Sequence, residues 1–399
     1  MRNNALVVVA VLSSAGCNFT QDFQLPASAD AGNTALGSRS DDAGCGSAAD
    51  PKNCGTCGHS CLGGTCENGQ CQPVVLASNQ GSDLGRFYGD GPVGIAVDTA
   101  HVYWLNGRGE VMRIAIGGGH VDTVARVPRG STTLALDDLA VYFTGDDASV
   151  IYRAPKDRSA LPLEVVPRSP APPIMHILLA WDRIHWSPYA VSDDRKATVL
   201  ACPKSGCVGK PKEVWTGEVP NGLAASGNFI FIAGTNFFGD NATGMAAAGY
   251  VVGLEHNTSG KCGIGEYCGN GQLPIDRSTF LGLATDETYV FLLAKNELIR
   301  THLRGSIPAK VLASGPSVAM NPMGPALDAD YVYWANFNTE DGSIARCSKK
   351  GCSEPEILAR NQKLPKGVSV DDRAVYWITS DGNVMKLAKP EGPGQRPLK

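Results

Sequence analysis

Thirteen cysteines are the residues here whose type and spacing could do the most chemistry. Six fall close together, at Cys45, Cys54, Cys57, Cys61, Cys66 and Cys71, in the stretch NCGTCGHSCLGGTCENGQC and just before it. Thiolates at this density either bind zinc, with His59 as a nearby nitrogen ligand, or oxidise to disulfides. The stretch has almost no apolar side chains and cannot build a core, so three disulfides that restrict the unfolded chain fit it better. Six cysteines allow 15 pairings, and sequence does not choose among them. Six more fall in three close pairs: Cys202 with Cys207, Cys262 with Cys268 and Cys347 with Cys352. A short spacer with glycine suits a hairpin bridged across its turn. The remaining cysteine, Cys17, follows an apolar run.

Other chemistry is sparse. Seven histidines form no HExxH or His-x-His pattern, and there is no GxSxG elbow, P-loop or EF-hand loop. No catalytic, cofactor or metal residue is therefore assigned. Acidic pairs recur at Asp137–Asp138, Asp146–Asp147, Asp193–Asp194 and Asp371–Asp372. They could offer calcium its hard oxygen ligands, but aspartate also favours turns by bonding its own backbone. A basic residue recurs at Arg113, Arg153, Arg300, Arg346 and Lys386, either lining an anion channel or bridging repeats.

These residues sit in a repeat. GIAVDTAHVYWLNGRGEVMRIAIGGG, GPALDADYVYWANFNTEDGSIARCSKKGC and GVSVDDRAVYWITSDGNVMKLAKP each read as a short strand ending near an aspartate, a turn, a VYW strand, a glycine-bearing loop and a third strand. Weaker copies start at Leu134, Ile177, Gly222 and Gly282, making seven. Pro-x-Gly precedes many first strands, at Pro92, Pro128, Pro220, Pro322 and Pro365. A fourth strand follows most copies, as in KVLAS and EILAR, but not the last; an orphan PVVLAS precedes the first. Repeats of about 40–45 residues with four strands each predict a β-propeller. The expected fold is all-β, with seven four-stranded blades and the N-terminal strand closing the last. Runs such as VYW and FIFI, apolar at every position, fit strands buried on both faces. The pattern resembles the YWTD and NHL propeller families, with VYWLN and VYWAN where the former has YWTD; those families usually have six blades.

The N-terminus reads MRNNALVVVAVLSSAGC, a charged, apolar and small-residue order typical of a secretory signal and too short to span a bilayer. It resembles a bacterial lipobox, although Ser14 stands where the family has an apolar residue. The resemblance implies cleavage before Cys17, a lipid on it, and partnership with a bilayer at the outer membrane or surface of a Gram-negative bacterium. The expected organisation is a signal (1–16), a lipidated tether (17–44), a disulfide-rich module (45–72), a propeller (73–390) and a tail (391–399). The module's spacing resembles the cysteine repeats of stigma-specific plant proteins, which implies a structural or adhesive role.

Composition narrows the partners. Glycine, at 47 of 399 residues, is about 12% of the chain against a usual figure of about 7%. A hydrophobic content of 43% is too high for a disordered chain, and a net charge of −4 offers no footprint for nucleic acid. Loop length carries the functional expectation. The loop between second and third strands swells at 187–197, with Tyr189, Asp193 and Asp194, and at 234–249, with Asn236, Phe237 and Phe238. The sixth copy carries Asn336 and Asn338 there. Loops held by a rigid scaffold are where binding concentrates. The expectation is a non-catalytic protein presenting these loops to an envelope protein or glycan, without a cofactor unless calcium. The alternatives are a lyase or hydrolase acting on an extracytoplasmic polymer, since a funnel site drawn from several blades leaves no linear motif, or a structural part of an envelope assembly.

Overall fold

A computed structural model describes residues 46–81, 92–106, 108–127, 131–145, 147–168, 173–188, 196–218, 220–238, 246–256, 267–272, 280–294, 296–305, 307–315, 318, 324–338 and 341–390. The signal, Cys17, the tether, Cys45 and the tail lie outside them. Among the described residues every regular element is a strand.

Seven four-stranded antiparallel sheets form seven blades, with strands A to D in order outward. Blade 1 is Pro92–Val97, His101–Asn106, Glu110–Ala115 and Asp122–Arg126; blade 2 is Leu134–Leu136, Ala140–Gly145, Val150–Pro155 and Leu163–Val166. Blade 3 is Ile174–Ala180, Arg183–Pro188, Lys196–Pro203 and Lys212–Glu218; blade 4 is Pro220–Ser226, Phe229–Phe238, Ala246–His256 and Tyr267–Gln272. Blade 5 is Phe280–Thr285, Tyr289–Ala294, Glu297–His302 and Lys310–Ser314; blade 6 is Ala326–Leu327, Tyr331–Asn336, Gly342–Ser348 and Glu356–Gln362. Blade 7 takes strands A to C from Pro365–Val370, Ala374–Thr379 and Val384–Ala388, and its D strand from Val74–Ala77. The A strands touch one another in cyclic order, blade 7 against blade 1 included. The ring is thus a closed seven-bladed β-propeller, one blade more than the YWTD and NHL resemblance implied.

The core is divided among the blade interfaces. In strand B of blade 1, Val102 and Trp104 pack toward blade 7, while Tyr103 and Leu105 pack toward blade 2. Side chains alternate across a strand, so a strand buried on both faces must be apolar at every position, which is why VYW runs unbroken. Trp104, Trp186, Trp334 and Trp377 are all at most 1% exposed.

The Pro-x-Gly motif marks a bulge where A strands crowd the axis. Register shifts fall between Pro92 and Gly94 and between Pro220 and Gly222, and a Cβ on Gly282 would collide with the backbone of Gly324 in the next blade. Only glycine allows so close an approach.

Two C–D turns are closed by disulfides, Cys202–Cys207 and Cys347–Cys352. Each also clasps the preceding blade: the Cys207 N–H donates to Val165 O (2.9 Å) and the Cys352 N–H to Leu312 O (3.1 Å). Cys262 and the side chain of Cys268 lie outside the described residues.

The cysteine module contains Cys54–Cys66 and Cys61–Cys71, and Cys57 is disulfide-bonded to a cysteine outside the described residues. The sulfurs of Cys54, Cys61 and Cys71 approach within 4.8 Å of one another, but as disulfides they offer no thiolate to a metal. The module forms one compact unit with the ring. Cys71 packs between blades 6 and 7, Leu62 between blades 7 and 1, and His59 Nε2 lies 3.0 Å from Lys389 O.

Candidate functional site

An antiparallel meander puts the A–B and C–D turns on one face of the ring and the B–C loops on the other. On the first face, Asp137, one of the aspartates weighed for calcium, and three aspartates at the same turn position each meet a lysine of the next blade. Asp328 Oδ1 accepts from the N–H groups of Asp330 (2.9 Å) and Tyr331 (2.8 Å). Its Oδ2 accepts from Tyr333 Oη (2.7 Å) and from Lys389 Nζ of the next blade (2.6 Å). The same blade-to-blade pair recurs at Asp98–Lys156 (2.8 Å), Asp137–Lys204 (3.4 Å) and Asp286–Lys349 (2.9 Å). The strand C cations complete the joint. Arg113 donates to Lys156 O (2.6 Å), Arg300 to Lys349 O (2.8 Å), Arg346 to Pro390 O (3.2 Å) and Lys386 to Ile116 O (3.0 Å). Arg153 instead bonds Tyr142 Oη of its own blade at 3.1 Å.

The electrostatics follow. Burial alone would raise the Asp98 carboxyl, but the Lys156 hydrogen bond and two backbone N–H groups outweigh it and hold the group at about 2. Burial, then the Asp328 carboxylate, pushes the Tyr333 hydroxyl far above its ordinary value, so it remains a donor. These carboxylates are spent on their own turns and on the neighbouring blade.

Blades 3 and 4 break the pattern. Ala180 holds the aspartate's place in the blade 3 turn and His256 holds the lysine's place in blade 4; Trp181, next to Ala180, stacks on His256 at 4.3 Å and 21°. His185, in the strand B place of Tyr103, lies edge-on to Trp181 at 5.9 Å. Nearer the axis, His176 occupies the register place held by Gly94, Gly222 and Gly282. Its Nδ1 lies 3.1 Å from Ser187 Oγ. Burial lowers the His176 pKa to about 4, so the ring is neutral near pH 7. A serine beside a neutral histidine suggests a nucleophile and its base, but Ser187 is 0% exposed and meets no substrate. The pair instead packs the joint between blades 3 and 4. Sequence reasoning missed His176; the signal was a bulky ring where aligned copies have glycine.

The B–C loops of these two blades are the long ones. Tyr189, Asp193 and Asp194 lie outside the described residues. Asn236, Phe237 and Phe238 are not in a loop: they extend strand B of blade 4 and pair with Ala248, Ala247 and Ala246. That strand has 10 residues against 6 in blade 1, and the surplus projects from the B–C face as a hairpin arm. Asn336 was expected to present itself to a ligand, but it is only 4% exposed. It accepts from Trp334 Nε1 (3.0 Å) and donates to Ser343 Oγ (2.9 Å), bracing its own loop. Asn338, two residues on, is exposed. Of the predicted residues, the described ones do not form one cluster: Asn236, Phe237 and Phe238 are on blade 4, and Asn336 and Asn338 are two blades away on blade 6.

No protein-family model matches the chain, and no curated protein does. Solved structures share the fold. Virginiamycin B lyase from Staphylococcus aureus is 14% identical with a TM-score of 0.56, covering 80% of this chain and 99% of its own. YCF48 bound to D1 peptide is 9% identical with a TM-score of 0.52, over 80% and 97%. The WD40 propeller domain of Doa1 is 10% identical with a TM-score of 0.53, over 80% and 98%. At such identities the likeness is one of architecture. The class is the β-propeller, and propellers host unrelated activities.

Proposed function

We propose that this chain is a non-catalytic binding protein, lipid-anchored through Cys17 at the outer membrane or cell surface, whose B–C face at blades 3 and 4 engages an envelope protein or glycan. The observation that carries the reading is the blade 4 hairpin arm, raised from the B–C face beside the blade in which His176 replaces the ring's glycine. Rigid scaffolds place binding segments in this way. The propellers that resemble it include one solved with a bound peptide, and the buried Ser187 argues against the nearest catalytic-looking pair.

The test is a pull-down from envelope extracts with the intact protein and a variant lacking 239–245. A partner lost with the arm supports the reading; one retained by the variant refutes it. Cys17→Ala is expected to abolish labelling by a radioactive fatty acid, and unchanged labelling sinks the anchor. The lyase likeness defines the competing reading, which turnover of an envelope polymer by the purified protein would favour.

A further inference from the structure

A second opening lies on the outer rim, away from the B–C face. A groove of about 550 Å³ runs between the D strand of blade 6, the C-terminal end of strand C in blade 7 and the cysteine module. All seven consecutive residues of Glu356–Gln362 line it. Two register shifts against strand C and the left-handed Asn361 (φ 56°) break the alternation, so successive residues of this bulged strand reach the groove. That strand pairs inward with Gly342–Ser348 and is the outermost of its sheet. Beyond it no further strand of the sheet is paired, so this groove-lining strand leaves an open edge, a template for another strand. The other blades leave D-strand edges too, but here Gln70, Gln72 and Thr56 of the module stand opposite as a wall.

The lining has a sign. Its one carboxylate, Glu356, is held by Arg346 Nε at 2.7 Å. Arg360, farther along the same strand, is exposed and makes no ion pair with a described residue. His59 is tied through both ring nitrogens to the carbonyls of Cys54 (2.8 Å) and Lys389 (3.0 Å). The groove thus pairs an unfilled strand edge with one unbalanced positive charge.

We propose that this groove takes an extended peptide segment bearing an acidic side chain, which adds a fifth strand to blade 6 and sets its carboxylate against Arg360. Main-chain hydrogen bonds supply affinity in this mode, and side chains supply selection. The module then has a role in recognition: it turns an open edge into a walled slot, which restricts what can pair there.

The experiment pans phage-displayed random dodecapeptides against the full-length, disulfide-intact protein and synthesises the enriched sequences. The expected peptides carry Asp or Glu among β-branched residues and slow amide hydrogen exchange across 356–362. Gln70→Trp, which fills the slot from the exposed wall, is expected to weaken binding at least tenfold with an unchanged melting temperature. Arg360→Glu is expected to shift the enriched sequences toward Lys and Arg. The proposal is overturned by no enrichment, by enrichment without protection of 356–362, or by undiminished binding to folded Gln70→Trp. Removal of 239–245 is expected to leave these peptides bound; their loss would assign them to the B–C face and overturn the proposal, while leaving the proposed function standing.

Discussion

Asp328 caps its own turn, fixes Tyr333 and receives Lys389 from the next blade, all through two oxygens. Removing it with Asp328→Ala strips a turn of its cap and strands a buried tyrosine hydroxyl. The expected cost is about 2–3 kcal/mol in urea unfolding, with Lys389→Ala adding little on top, because the two act as one unit. His176 sets a pH dependence. Its ring titrates near 4 when folded and near its ordinary 6.5 when unfolded. Between those values the unfolded chain binds more protons, so stability is full above about 6.5 and falls as pH falls toward 4. His185, lowered to about 3 first by burial, acts in the same direction. Urea midpoints measured from pH 7 to 4 are expected to fall, and less steeply in His176→Gln, which can still bond Ser187. At this scale sequence was half legible. The Asx turns followed from aspartate chemistry, but the lysine that completes each joint is 61 residues away at Asp328 and 58 at Asp98, beyond any local pattern.

The disulfide turns of blades 3 and 6 show what an element adds to a residue. Each spans a sequence separation of 5 and lays its second cysteine on the D strand of the blade before it. Closing so short a loop is worth about 2 kcal/mol on chain entropy. Cys347→Ser with Cys352→Ser is therefore expected to lower stability by about that amount, with near-native circular dichroism, because the ring does not depend on this turn for closure. Spacing alone revealed these elements, since a short glycine-bearing spacer has few other uses. The blade 4 arm was misread as a loop. Its GTNFFGDNATGMAAAG carries too many glycines and alanines to look like a strand, and the pairing of 236–238 with 246–248 is a tertiary fact that overrides β-propensity.

For the whole molecule, the orphan strand matters most. Val74–Ala77 completes blade 7 on strand C, and the module that precedes it braces the same seam. A variant lacking 46–81 is expected to melt at least about 10 °C lower, because it uncovers an edge and part of two interblade cores. A loss of only a degree or two would mean that the ring closes adequately on three strands. The architecture was legible because repetition multiplies a weak signal sevenfold and the missing fourth strand of the last copy matched the surplus one at the start. The docking of the module was not legible. Its few apolar side chains gave no sign that Leu62 and Cys71 would enter the ring's own cores.

Closure of this kind also sets a clock. Ala77 pairs with Val384, roughly three hundred residues later in the chain, and at a synthesis rate of about 5–20 residues per second that is a wait of about 15–60 s. For that interval the early strand has no partner, and every joint made in the meantime builds an open arc. The final contact is thus among the longest in sequence and the last available in time, so folding rate is expected to be limited by the seam and not by any single blade.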